Sequence, residues 1–354
     1  MNIIFFNTVA LGDYLVHSRL IKDLKLKYKC HISAVCSSYN SRIIRHHKHI
    51  DKIIIYDENW SLIKKIKTLK KILKRQYYLS IVFDCKKFSM LGNFLITSKY
   101  KRGVLMQKYK KIFSFKFYLY YPSKLISFFL YDKFVVHKRV KYINNRYYLP
   151  STWIDLLSDF KINTSKKNIY YFNPQKIYEN KKNYILNKIK FKNYFLFHLD
   201  HKWEDIKDVD SNLYLNLLRL NNKSKKNLIL TTFNNKSKYF FKLEKEINIY
   251  NCNNNKILKR NNKKIYLIKN PDIFLQERLI SCSDLNISCH SGILVHGSGA
   301  NKKNLIDILN YTEVMYQSCW APLKKYHVIK KSTKSKKIAL NSIFNQIYRK
   351  QAIL

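Results

Sequence analysis

Three short segments of this 354-residue chain gather residue types that handle charged, hydroxyl-bearing ligands. The first is Asn7-Thr8-Val9-Ala10-Leu11-Gly12-Asp13. Gly12 lets the backbone approach a ligand closely, and Asp13 stands at a helix start, where the dipole favours a carboxylate. Two readings of Asp13 are open: a helix N-cap, or a general base on a hydroxyl, which needs hydrogen-bond reach and a suitable pKa. The second segment is Phe197-His198-Leu199-Asp200-His201-Lys202-Trp203. Lys202 is either an ordinary surface lysine or the cation that neutralises charge on a departing diphosphate. Trp203 can stack on a ligand or simply pack. His198 and His201 lack the spacing of metal ligands on a helix face. The third segment, Ser288-Cys289-His290-Ser291-Gly292-Ile293-Leu294-Val295-His296, turns from a strand into a helix. A helix start is an anion site, and Ser291 and Gly292 would offer backbone N–H groups to a phosphate. His296 is a ligand contact or a satisfied core histidine. A fourth cluster, His46, His47 and His49 beside Arg45 and Lys48, reads as a solvated surface turn and not as a metal site.

The elements that must position these segments alternate. Ile3–Phe6 is a short buried strand, followed by a helix with Leu15, Leu20, Ile21 and Leu24 at helical spacing. Strands are predicted over His31–Cys36, Ile53–Tyr56 and Leu79–Asp84, and an amphipathic basic helix over Ser61–Leu73. A second series starts near Asn193, with strands Tyr194–His198, Leu228–Thr232, Ile265–Ile268 and Leu285–Ser288. Helices are predicted over Leu213–Leu220, Asp272–Cys282 and from Ile293, with Asn304–Ile308 as the last strand and a terminal helix over Asn341–Tyr348. Strands alternating with helices argue for parallel α/β sheets, two in tandem for this length. Ligands of such sheets bind at the carboxyl ends of the strands, here the loops after Phe6, His198 and Ser288. Between the series, Tyr100–Tyr148 interleaves Lys and Arg with Tyr and Phe, Pro150-Ser151-Thr152 marks a break and a helix start, and Asn163–Lys182 reads as a connector.

Lys and Arg number 68 against 22 Asp and Glu, a formal charge of +46. Most of it is Lys, spread along the chain together with much Asn, Ile, Tyr and Phe, a bias that an A+T-rich genome produces. Arg is the better fork for phosphates and bases, and no basic tail is present, so specific nucleic-acid binding is not expected. Anionic partners in general are favoured. None of the seven cysteines forms a Cys-x-x-Cys pair, which argues for reduced thiols. The apolar runs are too short for a spanning helix, and the start of the chain lacks a signal-peptide pattern. A cytoplasmic protein is expected.

Taken in order, the three segments resemble the heptosyltransferase family, glycosyltransferase family nine. Gly12-Asp13 before a Leu-rich helix, Lys202-Trp203 after a strand, and His290-Ser291-Gly292-Ile293-Leu294-Val295-His296 opening a helix are similar to its three motifs. Two departures stand out: His290 replaces the family's acidic residue, and one extra residue precedes His296. The resemblance implies a GT-B fold, two Rossmann-like domains with parallel sheets facing a central cleft. Residues 1–165 would bind acceptor, 166–190 would link, 191–330 would bind the donor, and 331–354 would form a C-terminal helix. It further implies inverting transfer without a metal or other cofactor, from a nucleotide-sugar co-substrate (ADP-heptose is the family default) to a lipid-anchored saccharide of the lipopolysaccharide type. By this resemblance Asp13 is the base and Lys202 a donor-phosphate contact. Gly12, His198, Trp203, His290, Ser291, Gly292 and His296 line the substrate and donor. The work would take place at the cytoplasmic face of the inner membrane. Two readings of Tyr100–Tyr121 are open: a contact with an anionic leaflet, where each Lys contributes roughly 1 kcal/mol, or a packed helix pair with a solvated basic face. A catalytically silent sugar-nucleotide binder of the same fold is the competing reading, kept open by His290.

Overall fold

The computed structural model describes residues 1–8, 11–112, 115–137, 151–162, 193–233, 236–252, 256–259, 264–312, 314 and 325–351. They fall into two units, residues 1–162 and 193–351. The expected connector and the 166–190 linker lie outside the described residues.

The first unit runs β1 (Asn2–Asn7), α1 (Leu11–Tyr28), β2 (His31–Ser37), α2 (Ser41–Ile44), β3 (Lys52–Tyr56), α3 (Leu62–Leu73), β4 (Tyr77–Val82), α4 (Lys87–Leu95), β5 (Ser98–Ile112), β6 (Phe115–Tyr121), α5 (Lys124–Leu130), β7 (Lys133–His137) and α6 (Ser151–Leu156). The strand order is β3-β2-β1-β4-β5-β6, with β7 also on β5. β1 is central because Ile3, Ile4, Phe5 and Phe6 are all buried, the unbroken apolar run that a strand covered on both faces requires. It pairs in parallel with β2 (Ile3 opposite Ile32) and with β4 (Ile3 opposite Leu79). The chain leaves β1 toward β2 and returns on its other side as β4, so the switch point of this sheet lies between the loops after β1 and β4.

The basic-aromatic region corrects one of its two readings, the helix pair. Residues 98–112 and 115–121 form two long strands, β5 and β6, paired antiparallel from Met106–Tyr121 to Ile112–Phe115. Tyr, Phe and Val favour a pleated surface, and β5 also gains parallel partners in β4 and β7. Gly103 is obligatory there: a Cβ would lie 2.2 Å from the Tyr131 ring. A second correction concerns the histidines after α2. His47 and His49 are buried, their rings 5.5 Å apart, and His47 Nε2 lies 3.2 Å from the Ser18 carbonyl of α1. Burial pushes the His47 imidazole down to about 4.

The second unit runs β8 (Tyr194–His198), a 3-10 turn (His201–Asp205), α7 (Val209–Ser224), β9 (Asn227–Thr232), α8 (Lys238–Glu246), β10 (Asn248–Asn251), β11 (Lys256–Leu258), β12 (Ile265–Lys269), α9 (Ile273–Cys282), β13 (Leu285–Ser288), α10 (Gly292–Ala300), β14 (Asn304–Leu309), β15 (Tyr326–Lys330) and α11 (Leu340–Gln351). Its strand order is β11-β10-β12-β9-β8-β13-β14-β15, parallel except for β10–β11. β15 extends the sheet beyond the strand expected to be last. Asp272 starts α9 by accepting from the Phe274 and Leu275 amides, a cap that contributes about 1 kcal/mol. Leu340, Ile343, Phe344 and Ile347 give α11 its buried stripe, and Phe344 stacks over Phe197 of β8 at 6.2 Å. Each such side chain contributes roughly 1.5–3 kcal/mol on burial. The chain enters at β8, builds outward through β9, and returns on the other side as β13. The switch point therefore lies between the loops after β8 and β13.

Candidate active site

At the carboxyl ends of β8 and β13 the second and third chemistry-bearing segments meet. Asp200 caps the 3-10 turn, its Oδ1 accepting from the Lys202 amide at 3.0 Å, while its own carbonyl accepts from Tyr239 Oη at 2.6 Å. Burial raises the Asp200 carboxyl above its ordinary value. The turn carries Lys202 across the switch point, where its Nζ donates to the His290 carbonyl at 2.7 Å. An ammonium has three donors, so this bond leaves capacity for an anion. The buried Lys331, just after β15, steadies the turn by donating to the Lys202 carbonyl (2.6 Å) and to Asp205 Oδ2 (2.9 Å).

His290 adopts a left-handed backbone, φ 52, uncommon for a non-glycine residue. Asp307 of β14 holds it there. Fully buried, Asp307 accepts from the His290 amide at 2.8 Å through Oδ1, and through Oδ2 from His290 Nδ1 (2.6 Å) and Tyr326 Oη (2.9 Å). The hydrogen of the imidazole is thereby assigned to Nδ1. Ser291 then sits at the N-cap of α10 without a side-chain cap bond, its amide donating to Ser288 Oγ at 3.2 Å. The N–H groups of the first turn of α10, from Gly292 onward, have no partner within the helix and form the positive end of its dipole. His296 lies one turn further in and is buried, with its imidazole pushed down to about 3 by burial and by His290.

His198 and Trp203 settle differently from a ligand contact. Trp203 is fully buried in the apolar core, and its Nε1 donates to the His198 carbonyl at 2.9 Å. Of the two readings open for it, packing is the one realised. His198 is buried, with Nδ1 3.1 Å from Thr231 Oγ1, and burial together with the Lys202 charge pushes it down to about 3. Both brace the turn that carries Lys202.

In the first unit the switch point is clasped by Asp84, just after β4. It accepts from the Thr8 amide (2.6 Å), Thr8 Oγ1 (3.0 Å) and the Lys86 amide (3.0 Å). Burial raises its carboxyl above the ordinary range even so. Beneath it Asn7, His17 and Asn40 form a buried polar network. Gly12 and Asp13 fall in the first turn of α1, with Asp13 two residues inside the helix and so not at the capping position. The Asp13 side chain lies outside the described residues. Among the described residues no group of three or more His, Cys, Asp or Glu gathers as metal ligands do.

No protein-family profile and no curated protein matches this sequence. Solved structures do match in shape. A glycosyl transferase of family 9 from Veillonella parvula superposes with a TM-score of 0.68 at 10% identity, over 98% of this chain and 90% of that one. The Escherichia coli ADP-heptose LPS heptosyltransferase II gives 0.63 at 11% identity, over 98% and 100%. A UDP-N-acetylglucosamine 2-epimerase (putative in its own description) from Listeria monocytogenes gives 0.57 at 9%, over 99% and 88%. The chain has a GT-B fold.

Within that fold the sequence pointed to Lys202, His290, Ser291 and Gly292, which the structure brings together. It gave no role to Asp307, Tyr326, Lys331, Asp84 or Thr8. A signal for Asp307 was present: one carboxylate inside the apolar run Asn304–Leu309, which burial obliges to find partners.

Proposed function

We propose that this chain is an inverting, metal-independent glycosyltransferase that moves a sugar from a nucleoside-diphosphate sugar to a lipid-anchored surface-glycan acceptor. The observation that carries the reading is the convergence of Lys202, the His290 carbonyl and the start of α10 at the switch point of the second sheet. A departing nucleoside diphosphate needs its growing charge met by fixed donors in a sheltered site. Lys202 supplies the cation, and the Ser291–Gly292 start of α10 supplies N–H groups and the dipole. His290, oriented through Nδ1 by Asp307, offers Nε2 to the donor in the place of the family's acidic residue. His296 stays neutral beneath them. Asp13 takes the proton of the acceptor hydroxyl as general base. Heptose carried on ADP is the first donor to try, from the likeness to the E. coli enzyme. Among the described residues no helix is long and apolar enough to cross a membrane, and the proposed place of work is the cytoplasmic face of the inner membrane.

The test is a donor panel of sugar nucleotides, ADP-heptose among them, read by thermal shift and by slow donor hydrolysis. A selective rise in melting temperature with one donor, and hydrolysis lost in Asp13→Ala while donor affinity stays, is the expected result. The change of the family's acidic residue to His290 favours one second reading, a silent sugar-nucleotide binder. For that protein the same panel gives a shift without turnover in either form.

A further inference from the structure

More than half of the exposed large hydrophobic side chains among the described residues sit on three helices, α3, α4 and α5. The helices are neighbours: α3 packs beside α4, and α4 beside α5. On α3, Thr68 and Ile72 turn to the core. The adjacent stripe, Leu62, Ile66 and Leu73, at spacings of four and seven, is exposed, with Leu62 at 72%. Lys64, Lys67, Lys71 and Lys74 form the next stripe, also exposed. On α4, Leu91, Phe94 and Leu95 share one exposed face. On α5, Leu125, Phe128 and Phe129 do the same, at 71%, 70% and 76% exposed. Polar side chains would solvate all these positions at no loss to the core, and contiguous apolar surface of this kind marks an interaction site.

We propose that α3, α4 and α5 form a docking face for an anionic lipid bilayer surface. The charge around the apolar stripes selects that occupant. None of the three helices contains an acidic residue. Of the carboxylates that flank them in sequence, Glu58 and Asp132 are engaged by Lys86 and Arg102, and Asp84 is buried. Apolar side chains bordered by lysines suit a helix lying in the headgroup region, where the ring or aliphatic part enters the acyl boundary and the ammonium stays with the phosphates. Trp60, which precedes α3 under the Lys64 ammonium at 3.8 Å, is the aromatic type found at that level. A second copy of the chain fits poorly, because it would set one lysine stripe against another, and protein interface centres are depleted of Lys. Nucleic acid can stack bases on exposed rings, but it has no partner for the exposed aliphatic side chains Leu62, Ile66, Leu91, Leu95 and Leu125. The inference deepens the proposed place of work at a membrane face, and its observations are those of this surface, apart from the donor chemistry.

The experiment is co-sedimentation of the full chain with vesicles of phosphatidylcholine, alone and with about 30% phosphatidylglycerol. The chain should partition at least tenfold more strongly onto the anionic vesicles. Phe128→Ser/Phe129→Ser should lower that partition about tenfold or more with an unchanged melting temperature, since both rings are exposed. Leu62→Ser/Ile66→Ser is the independent variant on α3 and should act in the same direction. Partition equal to wild type in both double variants overturns the proposal. So does a concentration-dependent dimer, absent from the variants, that sediments with neither vesicle. Donor hydrolysis in detergent-free solution should be the same in all three proteins, so failure of the transferase reading and failure of this one give different results.

Discussion

Asp307→Asn is the substitution that probes the donor end most sharply, because it changes one atom of a fully buried group. Asn keeps Oδ1, so the His290 amide retains its acceptor. The second oxygen is replaced by an amide nitrogen, where both the imidazole Nδ1 and the Tyr326 hydroxyl now donate. Histidine can answer by moving its hydrogen to Nε2, but the tyrosine hydroxyl then loses its acceptor. Hydrogen bonds to a charged group contribute about 1.5–3 kcal/mol each, and one of the two is recovered in neutral form at about 1 kcal/mol, so the expected loss is about 2–5 kcal/mol. The left-handed backbone at His290 adds to it, since such a residue persists only where its surroundings over-determine it. Thermal denaturation should show a melting temperature lower by several degrees, and calorimetric titration with the productive donor should show affinity about tenfold weaker, or 1.4 kcal/mol. Tyr326→Phe is the control: it removes one donor and leaves the carboxylate, so it should cost about 1.5–3 kcal/mol and leave donor affinity nearly intact. Should Asp307→Asn melt and bind donor like the wild type, His290 is not positioned by this carboxylate and its assignment to the donor fails.

Lys202→Met keeps the aliphatic stem and the backbone bonds to Lys331 and Asp200 but loses the bond from Nζ to the His290 carbonyl; turnover should fall by about 100-fold or more, while stability falls by only about 1 kcal/mol. A pH series tests the buried histidines. His47 is held near 4 and His137, His198 and His296 near 3, all by burial. Each folded value lies below the unfolded value of about 6.5, so the unfolded chain binds protons that the folded chain refuses, and stability falls as the pH drops below that point. At about pH 5.5 the loss is roughly 1.4 kcal/mol per histidine, offset in part by the raised Asp84 and Asp200, and chemical denaturation at about pH 7.5 and 5.5 should resolve it.

The parallel α/β alternation was legible because buried parallel strands read as short apolar runs between polar helices. The β5–β6 hairpin was not. Its lysines and tyrosines obscure the two-residue period, and its stability comes from partners outside the hairpin, β4 and β7. β15 was missed because five residues with a lysine at the end carry little pattern without β14 beside them. At the site, loops after strands were readable from position alone. The bonds that give them shape join residues far apart in sequence: Thr8 to Asp84, Lys202 to His290, Lys331 to Lys202. No local spacing encodes those pairs. Trp203 illustrates the converse, since its polar neighbours left stacking on a ligand open beside packing, and the core took its ring.

Lys331 has a bearing on how the protein is made. The turn that presents Lys202 is steadied by a residue 129 positions later, its neighbour Lys207 pairs with Ala339, and α11 packs on α7. The earliest strand of the second unit is thus finished by a segment that leaves the ribosome more than a hundred residues after it. During synthesis β8 and its loop must wait, partly assembled, until residues 326–351 arrive. A ribosome that stalls before them leaves a chain whose first unit is complete and whose second is not, so residues 326–351 act as a checkpoint on the whole second unit.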